Sequence, residues 1–236
     1  MNYLDCALLG LALAIAVRTG LPGLILLLAV ILFIAFHTLR KRDQNLSPRN
    51  NVEKWIFGTY ANWALYNCEY SADNASSILE PNYERTPILL GGRRGPYGSK
   101  AEKQYFLNML DSPWDIHSKA ELLETVAYMS VGPGFRNCRT KAGQAWQLCR
   151  CNQLLAIAFR LGWISRREMV RRSCQVGRLI QQTFSGWQEM SESFLARCLQ
   201  WMEDPSRGAD MRRAVHKALW TRTDSPYCLP WDFPLE

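Results

Sequence analysis

TKAGQAWQLCRCNQLLAIAFRLGW, residues 140–163, is the longest helical stretch in the chain, and its reading decides the fold. Apolar side chains recur almost all round it rather than along one stripe. A helix that is apolar on every side is normally buried on every side, so this one belongs at the centre of a bundle. Arg150 stands in its middle, one turn after Trp146.

Helix-start signals flank this stretch. Ser118 with Glu121, Ser165 with Glu168 and Ser185 with Gln188 each have capping-box spacing, which satisfies backbone N–H groups of a first helical turn. Helices are expected from Ser118 to about Ser130, from Ser165 to about Phe184, and onward from Ser185. Gly132-Pro133-Gly134 should stop the first of these. Trp187, Met190, Phe194, Cys198 and Trp201 fall at steps of three and four, which predicts one buried stripe. Residues 53–67, 73–79, 101–110 and 209–220 complete the helical set. Residues 81–99 are rich in Gly and Pro and read as a loop. Residues 223–236 hold Pro226, Pro230 and Pro234 and show no period. No run alternates with the period of a strand, so the expected class is all-α.

Residues 3–17 and 21–39 are two apolar runs separated by Arg18-Thr19-Gly20. The second has nineteen residues and no charged side chain. At about 1.5 Å per residue it spans roughly 28 Å, close to the roughly 30 Å hydrocarbon core of a bilayer. The first carries Asp5 and reaches about 22 Å as a helix. The expected arrangement is an N-terminal transmembrane helical hairpin turning at 18–23. The leader lacks the basic n-region and the small-residue cleavage site of a signal peptide. Arg40-Lys41-Arg42 follows directly and, by the positive-inside rule, lies in the cytoplasm. The organisation predicted is a membrane anchor over 1–42, with one or two transmembrane helices, a linker over 43–51, and a single multi-helix cytoplasmic bundle over 52–236. Its expected location is a membrane, with residues 43–236 facing the cytoplasm.

The formal net charge is +7, but residues 136–222 alone hold sixteen basic and six acidic side chains. Such a surface suits anionic lipid headgroups, at about 1 kcal/mol per cation, or an acidic protein partner. No RNP-like motif, zinc finger or helix-turn-helix signature accompanies it, so nucleic acid is not an expected partner. The eight cysteines form no C-x-x-C pair, and there are three histidines. Cys149 and Cys151 point about 200° apart on a helix and cannot share an ion. No metal site and no cofactor is expected, and the thiols should be reduced and mostly buried.

Several segments carry a family resemblance. Ala145-Trp146-Gln147-Leu148-Cys149-Arg150-Cys151-Asn152-Gln153-Leu154, running into Gly162-Trp163-Ile164-Ser165, resembles the core motif of the YbeR/YbeU-like bacterial proteins, the DUF1266 family. Ser112-Pro113-Trp114-Asp115-Ile116 with Glu121-Leu122-Leu123 is similar to an upstream segment of that family. Ser185-Gly186-Trp187-Gln188-Glu189-Met190, through Arg197 to Trp201, resembles one of its helices, and Ser225-Pro226-Tyr227-Cys228-Leu229-Pro230-Trp231 its ending. The chain departs from the pattern at Gln147, where an acid is frequent, and at Asp115, where Gly is frequent. The resemblance implies a helical domain of Gram-negative bacteria and brings no activity with it.

Arg150 is the foremost candidate site residue. A guanidinium inside an apolar helix needs a partner, and Asp115, Glu192 and Asp232 are the carboxylates expected to supply one. The group forms either a structural ion pair or an anion-binding pocket, with Trp114, Trp146, Trp187 and Trp231 as candidate lining aromatics. Arg40, Lys41, Arg42, Arg93 and Arg94 are candidate contacts with the membrane surface. The 91–100 loop is basic but lacks P-loop spacing. The function expected is that of a membrane-anchored protein-interaction module, working through the basic helices of 136–222. The alternatives are an enzyme or ligand-binding domain around Arg150, which needs Arg150, Asp115 and Asp232 to converge, and an immunity- or toxin-related protein of the inner membrane.

Overall fold

The computed structural model describes residues 48–64, 100–202, 208–221, 223 and 225–236, together with 30, 32 and 33. The chain divides into two units, Met1–Asn45 and Leu46–Glu236, and every element named here belongs to the second. In order these are α1 (Asn51–Gly58), α2 (Lys100–Trp114), α3 (Lys119–Ser130), α4 (Pro133–Arg136), α5 (Lys141–Arg160), α6 (Arg166–Thr183), α7 (Trp187–Trp201), α8 (Ala209–Thr221) and a 3₁₀ turn (Pro226–Cys228). No strand occurs among the described residues. Among them, too, no helix is long and apolar enough to cross a membrane. The apolar runs 3–17 and 21–39 lie outside the described residues except at 30, 32 and 33, as do the short helix expected at 73–79 and the loop expected at 81–99.

Three helix starts follow directly from side chains in the chain. The Ser118 hydroxyl accepts from Glu121 N–H at 3.3 Å, and the Glu121 carboxylate accepts from Ser118 N–H at 3.1 Å, closing a full capping box on α3. Thr140 caps α5 through Gly143 N–H, and Ser165 caps α6 through Glu168 N–H, both at 3.1 Å. α7 differs from expectation by one residue. Its N-cap is Gly186, without a side-chain cap, and the Glu189 carboxylate instead accepts from both the N–H and the hydroxyl of Ser185. Those bonds, the Ser185 backbone N–H foremost, hold the Glu189 carboxyl below its usual range.

α2 runs past the expected Leu110 to Trp114, with Pro113 in its last turn. Asp115 then takes φ 53, the left-handed region that favours glycine. There its N–H meets the Asp111 carbonyl at 3.0 Å, and Ile116 N–H meets that of Leu110 at 3.2 Å. Ile116, 2% exposed, plugs into the core directly after the turn. The helix expected over 53–67 breaks at Thr59 and Tyr60, and residues 61–64 resume it.

α5 is the axis. Leu148, Cys149, Cys151, Leu155 and Ala158 are all fully buried, on successive faces of the helix. α3, α6 and α7 pack round it, and α2 and α4 close the remaining sides. Each large apolar side chain so buried contributes about 1.5–3 kcal/mol. α7 turns Trp187, Met190, Phe194 and Cys198 inward as the spacing predicts, while Trp201 stays 51% exposed.

The aperiodic tail is held by side-chain donors rather than by its own pattern. Trp55 Nε1–H donates to the Trp231 carbonyl at 3.1 Å, and Trp187 Nε1–H to that of Leu229 at 2.8 Å. Gln181 Nε2 donates to the carbonyls of Trp231 and Phe233. α1, α6, α7 and the tail therefore share one aromatic joint.

Gly58 lies at that joint. A Cβ there would stand 2.7 Å from Trp187 Cη2 and 3.1 Å from Pro226 Cβ, and the Trp187 ring is already fixed by its N–H bond. Gly58→Ala is expected to lower stability by about 1–3 kcal/mol, seen as a lower urea midpoint at unchanged slope. Asp115→Gly should act oppositely: relieving the left-handed backbone should raise stability by about 1 kcal/mol in the same measurement.

Candidate functional site

Arg150 is half-buried on α5, with its guanidinium carbon 4.3 Å from the Trp114 ring and 4.5 Å from that of Trp146. Two indole faces therefore flank the cation. Such contacts are worth about 0.5–2 kcal/mol each, depending on desolvation. Burial lowers the guanidinium pKa to about 10, and neighbouring Arg197 pushes it the same way. Its Nε is buried without a hydrogen-bond partner.

The three carboxylates expected to neutralise Arg150 do not do so. Asp115 points outward, its side chain 97% exposed, and bonds His117 Nε2 at 2.9 Å. Glu192 is exposed on α7 and accepts from Gln188 Nε2 at 3.0 Å. Asp232 is exposed on the tail. No carboxylate among the described residues pairs with Arg150, so indole faces replace the expected ion pair. The four candidate aromatics likewise separate into two groups. Trp114 and Trp146 flank Arg150, whereas Trp187 and Trp231 pack with Trp55 at ring-centroid distances of 4.8 and 5.4 Å. The convergence of Arg150, Asp115 and Asp232 that a catalytic pocket requires is absent.

A second site emerges where α1 and α6 meet. Glu53, 5% exposed, accepts from Arg166 Nε at 3.0 Å and from Arg166 Nη2. The same carboxylate accepts from Arg49 N–H at 2.7 Å. This fork fixes one wall of a cleft of about 610 Å³. Its lining includes Arg49, Arg166, Arg167, Arg171 and Arg178, with Glu53 and Glu236 as the carboxylates. Arg178 donates to the Leu235 carbonyl and so ties the tail to the rim. Arg172 faces away and makes an in-helix pair with Glu168 at 2.9 Å. Arg167 and Arg171 are exposed, one turn apart, with no ion pair or hydrogen bond among the described residues. The cleft thus presents guanidinium forks suited to carboxylate or phosphate oxygens.

The basic excess of 136–222 foreshadows this cleft, but Glu53, which builds its wall, is far away in the chain. The candidate membrane-surface cations Arg40, Lys41, Arg42, Arg93 and Arg94 lie outside the described residues. Among the described residues, no group of three or more His, Cys, Asp or Glu side chains could hold a metal ion. Cys149 lies 3.3 Å from Met190 Sδ, and Cys151 lies 3.6 Å from the Val126 carbonyl. Burial pushes both thiols up, that of Cys151 to about 12.

The model of a family described as protein of unknown function (DUF1266) matches residues 130–231. No curated protein and no solved structure matches the chain.

Thiol reactivity checks the site chemistry. Cys228 is exposed and Cys138 half-buried, whereas Cys149, Cys151, Cys174 and Cys198 are buried. Among the six described cysteines, alkylation of the native protein followed by mass mapping should label Cys228 first and Cys138 next. The four buried thiols should react only after denaturation.

Proposed function

Residues 130–231 belong to the DUF1266 family, and on that premise we propose that the chain is a protein-interaction module whose arginine-lined cleft docks an acidic segment of a partner protein. The family description carries no reaction, so the reading rests on the site. One observation supports it above the rest. Arg167, Arg171 and Arg178 stand exposed along one side of α6 and border a cleft of about 610 Å³. Arg166 and Glu53 hold that wall in place from beneath. Guanidinium groups arrayed on a rigid helix are suited to an extended run of Asp and Glu side chains, and complementary charge speeds the encounter.

The proposal includes attachment to the bacterial inner membrane. The uncharged run 21–39 and the cluster Arg40-Lys41-Arg42 support an N-terminal transmembrane hairpin with residues 43–236 on the cytoplasmic side. A tether of this kind confines the cleft to the inner leaflet, where it would raise the effective concentration of a membrane-bound partner.

A fluorescein-labelled Asp/Glu-rich peptide, titrated against the full-length chain, tests the cleft. Binding should weaken at least about tenfold in the Arg167→Glu/Arg171→Glu double variant and decline as salt rises. The circular dichroism spectrum should be unchanged, since both side chains are exposed. Equal affinity of variant and wild type would remove the cleft from the account. Carbonate extraction of cell membranes tests the tether: the chain should remain in the pellet, and release into the supernatant counts against it.

A further inference from the structure

The cleft leaves Arg150 unused, although this residue is the more unusual arginine. Its planar group is oriented by Trp114 on one side and Trp146 on the other. Nε is shut off from water, whereas the two terminal nitrogens are neither bonded nor sealed in. The open edge of the fork is therefore the edge that reaches solvent. Arg197, half-buried on α7, is a second cation whose charge acts against that of Arg150. No carboxylate among the described residues pairs with either of them.

A cation held half-buried without a counter-charge raises the cost of folding. An anion held there would offset it. The arrangement also meets the requirements of recognition. The indoles have already restricted the guanidinium, so little rotamer freedom is left to lose on binding. Water is excluded from its inner side, which strengthens attraction at the outer one. A tetrahedral dianion offers two oxygen atoms to the open edge of one guanidinium fork.

We propose that Arg150, braced by Trp114 and Trp146, is a binding site for a phosphate group. The group is either free phosphate or the head of a small phosphate monoester. The site is distinct from the α6 cleft and does not depend on the reading of that cleft.

Calorimetric titration of the full-length chain tests this, carried out in the Arg167→Glu/Arg171→Glu background so that the cleft contributes no signal. Inorganic phosphate and glycerol 1-phosphate are the two probes, with chloride at equal ionic strength as the reference. Saturable heat with a change in tryptophan emission is expected for at least one of them. Tighter binding of the ester would identify a monoester as the ligand, and binding of inorganic phosphate alone would identify the free ion. Arg150→Lys should weaken binding at least about tenfold, because an ammonium lacks the fork the indoles orient. Gln147→Glu places a carboxylate one turn from Arg150 and should abolish binding without removing the arginine. It keeps the test valid if Arg150→Lys fails to fold. Two results would overturn the proposal: no saturable binding of either probe beyond the chloride reference, or undiminished binding in both Gln147→Glu and Arg150→Lys.

Discussion

A helix buried on nearly every side needs neighbours all round it, and α5 is such a helix. From Ala145 to Arg160 nearly every side chain is buried. The neighbours are therefore obliged to surround it, and α2, α3, α4, α6 and α7 do so. Its polar residues have to be satisfied in place. Asn152 Nδ2 donates to Thr59 Oγ1 at 3.0 Å, and the Arg160 guanidinium lies 5.3 Å from the Phe106 ring centre. Arg150 is answered by two indoles. At Arg150 aromatic faces take the place of a carboxylate.

The arginines of α6 divide the work differently. Its inner side, with Met169, Cys174, Val176 and Ile180, packs on the core. Arg166 at its start is committed to Glu53 and joins α6 to α1. Arg172 is committed to Glu168 within the helix. What remains outward is Arg167 and Arg171, with Arg178 at the tail. One basic helix thus serves as a structural clamp, a local ion pair and an open binding face. Which arginine does which depends on the facing carboxylates, not on the arginine itself.

Local chemistry was legible in the chain. The capping residues Ser118 and Ser165 act within three residues of themselves, so their helices start where the spacing says. The inward stripe of α7 followed from the same local periodicity. Misreadings arose where two local signals competed or where the partner was distant. At Ser185 the carboxylate of Glu189 captured the serine and moved the cap to Gly186. At Asp115 a left-handed residue closed a helix that had tolerated Pro113 in its last turn. Arg150 meets Trp114 in place of the expected carboxylate, because α2 brings its last residue against the middle of α5.

The sequence by itself determined the helical class, the central place of residues 140–163 and the positive character of 136–222, because periodicity, capping and charge are properties of neighbours along the chain. The tertiary structure alone decided which tryptophans share a cluster, which arginines are spoken for and where a cleft opens. Those outcomes depend on contacts between residues tens to more than a hundred positions apart, such as Glu53 with Arg166. A guanidinium reads the same in any sequence; only the packing of helices determines whether it meets a carboxylate, an indole or open solvent.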